Sequence, residues 1–569
     1  MRERNNGRKA SVLRRYVPIV AWLPHYRRSW LRPDLFAGLT LWAVLVPEAM
    51  AYAGIAGVDP VIGLYTVPLP LLAYAVFGSS RIMVVGPDSA TALLSAATIG
   101  SLAASGTADY LALTAALAIL VGILFLVFGL LRLGWVTDFI SRPVMQGFIA
   151  GVVLVTIIGQ VPTLIGLAPT RGDFFQQLWS ILGVLDNVNL TTVIVGVGSL
   201  LLLFWIRRYA PRLPAALATI VVAIMAVTLL DLQGRGVATV GTIAAGLPRL
   251  GLPSVGGLHV YKTLFSGALA IVLLGYAETL GSAKAAAAKT GETIDPNQEL
   301  LALGPANLGS GLSGGFIAVG SFSKTSVALA ANAKTQLGFV LTAGLVVLTL
   351  LYLMPVFKHL PDAALAAVVI EAMVALADPA YFRKLWRISH SEFLLAFVAM
   401  FGVLSLGVLP GIGAGIALDL LLLIRSASRP RAVTLGKTAG HVFQDLSLHP
   451  EGTTVPGLAV FRFEAPLIFT NASFFVEEVE RLVSEGDIDT VLVDAEGING
   501  LDSTAAERLL ELHDELKRHE VSLCFARVRD PVKDVMRASG VLDAIGEDHI
   551  HGSITAGVKA FKRAHKRPD

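Results

Sequence analysis

The sequence predicts an α-helical membrane protein of about 14 transmembrane segments in a 7+7 inverted repeat, followed by a C-terminal cytoplasmic α/β domain. Three observations predict it. The 569 residues are 54% hydrophobic and only 15% charged, with a mean hydropathy of +0.68, too apolar for a soluble chain of this size. The apolar runs begin near Leu35 and end near Ile424, whereas residues after about 456 have ordinary soluble composition. One pattern also occurs twice within the apolar part: a β-prone run ends at a glycine, hydroxyl residues follow, and helix formers start at once. The first copy is Ile82-Met83-Val84-Val85-Gly86-Pro87-Asp88-Ser89, leading into Ala90-Thr91-Ala92. The second is Gly320-Ser321-Phe322-Ser323-Lys324-Thr325-Ser326, leading into Val327-Ala328-Leu329. Aligned on Val-Gly, Gly86 matches Gly320 and Ser89 matches Ser323. Glu48 precedes the first copy by about 38 residues and Glu278 precedes the second by about 42, the weak internal symmetry of repeated halves.

Taken in order, the spans of the first half are expected at 35–53, 61–78, 87–102, 110–131, 140–161, 190–206 and 214–231, with an amphipathic piece around 174–185 on the outer surface. Those of the second half are expected at 265–286, 299–314, 322–332, 337–356, 361–376, 391–406 and 409–425. An amino terminus on the inside puts Arg81, Arg132, Arg207, Arg208, Arg212, Lys284, Lys289, Lys334, Arg383, Lys384 and Arg387 on one, cytoplasmic, side. Few positives fall opposite, chiefly Arg171, Arg235, Arg249, Lys262 and Lys358. Seven spans per half is odd, so the second half enters from the opposite face and the two copies of the motif are inverted. Their helix N-termini can then approach one another at the bilayer midplane.

The domains expected are a basic cytoplasmic segment at 1–33, a transmembrane domain at 34–425 with repeats at about 34–232 and 263–425, a polar linker at 426–455, and an α/β domain at 456–565. The first segment carries nine Lys or Arg against one acid, Glu3, with Trp22, Tyr26 and Trp30 interleaved. It lacks the apolar core of a signal peptide. Charge beside a span is what topology and the lipid interface require, so nucleic acid binding is not indicated. The single cysteine, Cys524, excludes an internal disulfide and falls on an apolar strand as a core residue. Strands at 458–463, 490–494 and 521–526 alternate with helices at 472–485, 504–519 and 532–539, the pattern of a small α/β domain.

A helix that starts in lipid leaves several N–H groups unpaired, so such a break survives only where it lines an enclosed cavity. Those groups and the positive end of the helix dipole form an anion site. Ser89, Ser321 and Ser323 can donate to it, and serve equally as N-caps. Lys324 adds a full charge, functional by default at membrane depth; Glu278, in Ala277-Glu278-Thr279, is the nearest acid in motif order to pair with it. Asp88, in the first turn of its helix, is read as a cap. Glu48, in Val46-Pro47-Glu48-Ala49-Met50-Ala51-Tyr52, is either a proton carrier that accompanies the anion or a hydrogen-bonded acid fixing its neighbour helix. Glu371 and Asp419 lack a matching copy and are read as inter-helix bonds. No nucleophile–base pairing or metal-ligand spacing is present, so the sequence suggests neither an enzyme nor a metal or other cofactor.

At these residues the chain resembles the SulP (sulfate permease) family of anion transporters. The resembling motifs are Asp34-Leu35-Phe36-Ala37-Gly38-Leu39-Thr40 through Ala53, Gly63-Leu64-Tyr65, Phe77-Gly78-Ser79-Ser80-Arg81, Val85-Gly86-Pro87, Ile294-Asp295-Pro296-Asn297-Gln298-Glu299-Leu300, Gly320-Ser321-Phe322-Ser323 and Thr335-Gln336-Leu337. Val491-Leu492-Val493-Asp494 followed by Leu501-Asp502-Ser503-Thr504 resembles a STAS domain. The resemblance implies a uracil-permease-like inverted repeat of core and gate domains, an anion held between the third and tenth helices, and a homodimer. It implies a substrate site of Glu48, Tyr52, Gly86, Ser89, Ala90, Glu278, Ser321, Phe322, Ser323 and Lys324. Ser503 matches the phosphorylated serine of soluble STAS proteins and is the regulatory candidate, with capping as its plainer use. Two departures matter: Glu48 stands where many relatives carry Gln, and Lys324 where many carry Arg. The first favours proton coupling; the second keeps the charge but loses bidentate recognition.

The expectation is a secondary active anion transporter in the plasma membrane, working by an elevator-like movement on sulfate, bicarbonate or a small dicarboxylate such as fumarate. A co-transported proton is expected through Glu48, with sodium coupling, anion exchange or a channel of the same fold as alternatives. A nucleobase permease or a STAS-based membrane scaffold is more remote. The STAS domain is expected to stabilise the fold and to bind a cytoplasmic protein partner.

Overall fold

The computed structural model describes residues 16–135, 141–167, 173–184, 186, 188–210, 213–241, 246–255, 258–438 and 442–565. Most of the basic charge expected before residue 16, together with Arg171 and Arg212, lies outside the described residues. The chain divides into two units, 1–419 and 420–569.

The first unit is a helical body. After a single helical turn at Ile19–Trp22 and 3-10 turns at Leu23–His25 and Arg28–Trp30 comes α1 (Leu31–Ala56), which contains Pro47 and ends at Gly57 in the left-handed conformation at φ 76°. Proline removes one donor from the ladder immediately before Glu48. The expected second span is two helices, α2 (Pro60–Tyr65) and α3 (Pro68–Phe77), because Pro68 restarts the turn. Strand β1 (Val85–Pro87) then leads into the short helix α4 (Ser89–Ile99). Next come α5 (Ala108–Leu130), α6 (Arg142–Ile165), the amphipathic α7 (Phe174–Leu182) held by an Asp173–Gln176 capping box, α8 (Leu190–Tyr209) and α9 (Ala215–Leu229).

The second half repeats this plan. It holds α10 (Leu258–Thr290), α11 (Pro296–Leu312), β2 (Ala318–Gly320) and the short α12 (Phe322–Ala330). After them follow α13 (Leu337–Leu348), α14 (Asp362–Leu376), α15 (Pro379–Ile388), α16 (His390–Leu406) and α17 (Val408–Ser428), within which the division between units falls. Among the described residues eight helical stretches are long and apolar enough to cross a membrane, and α4, α9 and α16 are shorter apolar helices. Two features depart from expectation. The span at 337–356 leaves α-helical geometry after Leu348, passing through a π turn and then a 3-10 turn to His359. The basic stretch around Arg383-Lys384-Leu385-Trp386-Arg387, which lies between the spans expected at 361–376 and 391–406, is helix α15, started by Asp378 accepting from the Tyr381 N–H with Pro379 in its first turn.

The two broken segments meet. β1 pairs antiparallel with β2 in the register Val85↔Gly320, Gly86↔Val319 and Pro87↔Ala318. Irregular backbone inside a membrane body must find partners within the protein. Here side chains supply them. Asn307 accepts from the Ala318 N–H and donates to its carbonyl, Thr279 Oγ1 accepts from the Gly320 N–H at 2.9 Å, and Thr325 Oγ1 accepts from the Val84 N–H at 3.1 Å.

The second unit carries a six-stranded sheet in the order β4-β3-β5-β6-β7-β8, made of β3 (Ala432–Lys437), β4 (Phe443–Asp445), β5 (Gly457–Phe463), β6 (Ile488–Asp494), β7 (Ser522–Ala526) and β8 (Ile550–His551). Strands β5 to β8 are parallel, whereas β3 and β4 add antiparallel neighbours. The expected polar linker at 426–455 is therefore partly sheet: Leu435 is buried and packs with Leu458, Val460 and Leu492. Helices α18 (Ala472–Glu485), α19 (Ser503–Arg518), α20 (Asp530–Ala538), α21 (Val541–Ile545) and α22 (Ile554–Ala564) complete it. Phe461, Phe463, Phe475 and Leu509 are among its core residues.

Candidate anion site at two half-helix starts

The paired strands deliver the N-termini of α4 and α12 to one place, and α1 packs against both helices. Lys324 is fully buried at 0% exposure. Its ammonium lies 3.4 Å from Glu48 Oε2 and 3.3 Å from Ser321 Oγ, and sits over the ring of Tyr52 at 5.0 Å from the centroid. Motif order pointed to Glu278 as the acid for this lysine, and the structure makes it Glu48. Lys324 is the third residue of α12, and a helical side chain leans back towards the start of its own helix, which here is where α1 passes. Glu278 lies instead beside Asp88, within Coulombic reach of Lys324, and its Oε2 is buried without a hydrogen-bond partner.

The two helix starts differ chemically. Asp88 caps α4: its Oδ2 accepts from the Ala90 N–H at 3.0 Å. Ser321 holds the same place before α12, yet its side chain makes no cap bond. Its hydroxyl instead lies 3.5 Å from Asp88 Oδ1 and 3.5 Å from Ser323 Oγ. The hydroxyl of Ser89 is buried with no partner, whereas Phe322 is 42% exposed and Ser323 is also exposed. Gly320 is needed for close approach, since a Cβ there would stand 2.6 Å from Met83 Sδ and 3.0 Å from Thr279 Cα. Gly86 has room for a methyl, its nearest neighbour being Leu45 Cδ1 at 3.6 Å.

Of the residues singled out, Glu48, Tyr52, Asp88, Ser321, Ser323 and Lys324 are joined by these contacts and Glu278 lies beside Asp88, whereas Ser503 belongs to the second unit. There Asp502 is the cap of α19, accepting from the Ala505 N–H at 2.8 Å, and Ser503 is left exposed. Three residues that build the site escaped the sequence reading: Thr279, Thr325 and Asn307, whose side chains satisfy the strand backbone. Thr279 directly follows Glu278, which was the available signal. Glu371 on α14 pairs with Arg207 of α8, and Asp419 accepts from the Ser141 N–H at 2.9 Å, as inter-helix bonds. A cavity of about 600 Å³ opens at the other end of α12, lined in part by Ser326, Leu329, Asn332, Lys334 and Lys289; Lys324 does not line it. Among the described residues no group of three His, Cys, Asp or Glu side chains is placed to hold a metal ion.

A helical membrane body with two half-helices begun from one strand pair, and a buried cation between them, defines a membrane transport protein with an internal polar site. The sequence matches the Sulfate permease family over residues 31–399 and the STAS domain over 449–559, and the chain belongs to the sulfate permease family. It is 37% identical to a probable sulfate transporter of Mycobacterium tuberculosis across 96% of this chain and 98% of that one. It is 31% identical to the chloroplastic sulfate transporter 4.1 of Arabidopsis thaliana, across 93% and 80%. These relatives are named as transporters, not enzymes. In fold it is similar to the murine solute carrier 26 member A9 anion transporter in its inward-facing state, with TM-score 0.88, 23% identity and coverage of 97% and 94%. The transmembrane domain of the cyanobacterial bicarbonate transporter BicA gives TM-score 0.61 at 24% identity, covering 70% of this chain and 98% of that one.

Proposed function

We propose that this chain is a secondary active transporter of a small oxyanion or carboxylate, with sulfate, bicarbonate and a small dicarboxylate as the candidate cargoes, and that a proton travels with the anion. The observation that carries the reading is Lys324, fully buried between the Glu48 carboxyl, the Ser321 hydroxyl and the Tyr52 ring. A cation so placed is expensive unless it serves a ligand. Glu48 and Glu278 both lie within Coulombic reach of that lysine, and Asp88 lies within reach of both acids. A carboxylate beside Lys324 competes with an anion for the ammonium and repels it. A proton taken up there removes that negative charge, so anion and proton favour each other's binding. Glu48 is the proton site in this scheme because its charge competes directly with the anion for Lys324. The names of the Mycobacterium and Arabidopsis relatives favour sulfate.

The same reading places the protein in the plasma membrane, as a homodimer, with the amino terminus and the STAS domain in the cytoplasm. The STAS domain takes a protein partner, Ser503 serves as its regulatory serine, and the site crosses by an elevator-like displacement. Uptake of labelled sulfate, bicarbonate and fumarate into proteoliposomes, with and without an inward proton gradient, tests substrate and coupling together. The gradient should drive accumulation in the wild type. Glu48→Gln should lose that response while retaining downhill exchange. Gradient-driven uptake that survives in Glu48→Gln removes proton coupling through Glu48, and a sodium requirement would reassign the coupling ion.

A further inference from the structure

The residue that follows α12 in space is not in the site at all. Asn332, at φ 62°, turns the chain out of the helix, and the Ala333 N–H closes back on the Ala328 carbonyl at 3.0 Å. The next two residues are gripped by Asp34, near the start of α1. Asp34 is 1% exposed, and its Oδ1 accepts from the Lys334 N–H at 2.7 Å and the Thr335 N–H at 3.0 Å. Its Oδ2 accepts from the Thr335 hydroxyl at 2.7 Å and from the Tyr26 hydroxyl at 3.2 Å. Four donors on one buried carboxylate give a rigid join, since each would be costly to leave unpaired.

The join reaches both half-helices. Thr335 Oγ1 accepts from the N–H of Leu337, the first residue of α13, and Gln336 Nε2 donates to the Ser80 and Met83 carbonyls at 3.0 and 2.9 Å. Residues 80–83 feed directly into β1 and so into α4. The backbones are close as well: a Cβ on Gly38 would stand 2.4 Å from the Gly338 carbonyl oxygen.

We propose that Asp34 is a positioning residue for transport: it fixes the segment 332–336, which holds the far end of α12 and, through Gln336, the approach to α4, and Tyr26 links the amino-terminal segment to that clamp. The Tyr26 phenol is pushed up to about 12 by burial and by the neighbouring Asp34 charge, so it remains a donor throughout the physiological range. None of the four clamp residues touches Lys324, yet a small displacement of a half-helix is enough to spoil an anion site.

The kinetic part of this inference rests on the proposed transport activity, and its structural part does not. Amide hydrogen exchange and anion uptake are measured on the full chain, as wild type, Asp34→Ala, Asp34→Asn, Thr335→Val and Tyr26→Phe. Asp34→Ala should speed exchange over residues 322–336 and 80–92 by about tenfold and leave the STAS domain unchanged. Half-saturation for the anion should rise about tenfold, with a smaller change in maximal rate. Asp34→Asn, which keeps Oδ1, should fall between Ala and wild type. If Asp34→Ala does not fold, Thr335→Val and Tyr26→Phe carry the test, each with a smaller rise confined to the same segments. Wild-type exchange over 322–336 in the folded variants overturns the proposal whatever uptake does. Faster exchange in a protein whose wild type carries none of the anions supports the clamp and defeats the transport reading instead.

Discussion

Replacing Glu48 by Gln isolates the energetics of the buried pair. The change removes the carboxylate 3.4 Å from Lys324 and leaves a fully buried ammonium with the Ser321 hydroxyl and the Tyr52 ring, contacts that already exist and so offset nothing new. Breaking a buried pair by deleting one partner costs about 3–5 kcal/mol. The separation is long and Glu48 Oε2 makes no hydrogen bond, which favours the lower end, about 3 kcal/mol. Lys324→Met strands Glu48 in turn, at about 2 kcal/mol, because that side chain keeps 13% exposure and some hydration. Removing both charges leaves neither member of the pair stranded. The double variant should therefore recover about 2–3 kcal/mol relative to the summed singles. Thermal unfolding of detergent-solubilised protein reads this out, since each kcal/mol is worth about 2–4 °C in domains of 150–250 residues and less in this larger one. Glu48→Gln should melt several degrees low and the double variant no lower than that single, although it carries both changes. A double variant that melts as low as the two singles added together would refute the pairing, as would a Glu48→Gln protein with an unchanged midpoint.

Three further outcomes follow from the same geometry. Asn307→Leu orphans both the N–H and the carbonyl of Ala318, bonded at 3.0 and 2.8 Å, and should cost about 1–3 kcal/mol for each group, measured as a lowered unfolding midpoint. Gly281→Val places a Cβ 2.7 Å from Phe322 Cζ; because Phe322 is 42% exposed the ring can swing aside, so the midpoint should hold while half-saturation for the anion changes. Burial pushes the Cys524 thiol up to about 11, so thiolate is scarce at pH 7.5, and maleimide should label the native protein slowly and the denatured protein fast. Rapid labelling of native protein would contradict the placement of Cys524 on β7.

The elements that the sequence foretold are those set by local patterning. Helix α18 was expected at 472–485 and is observed at Ala472–Glu485, because its apolar period and its flanking turns coincide. Helix α15 was not among the expected elements because its charges exclude it as a span, although Asp378-Pro379 is a helix-start signal. Strands β3 and β4 were missed because Arg429-Pro430-Arg431 and Gly436-Lys437 dominate the composition of a stretch whose apolar residues, such as Leu435, are few. The partner of Lys324 was not legible for another reason. Internal symmetry ranks acids within one repeat, and so favours Glu278, whereas the ion pair forms between repeats and depends on where α1 passes.

The register of the central strands bears on how the two halves are related. If Gly86 and Gly320 are equivalent, exchanging the copies turns the pair Val85↔Gly320 into Val319↔Gly86, which is also present. The same exchange turns Pro87↔Ala318 into Ser321 beside Val84, and the Ser321 N–H does donate to the Val84 carbonyl at 3.1 Å. Every antiparallel ladder maps onto itself in this way, so the strand pair has a local two-fold that suits two inverted copies without by itself demonstrating them. The chemistry laid over this symmetry is unequal. Asp88 sets a carboxylate against the start of α4 and offsets its dipole, whereas the start of α12 has a hydroxyl turned away from capping and Lys324 within its first turn. The positive end available to the proposed anion is therefore that of α12, and α4 supplies the acid that sets the charge balance around it. It follows that exchanging the two first-turn chemistries, rather than weakening either alone, is the change the symmetric backbone should tolerate and anion binding should not.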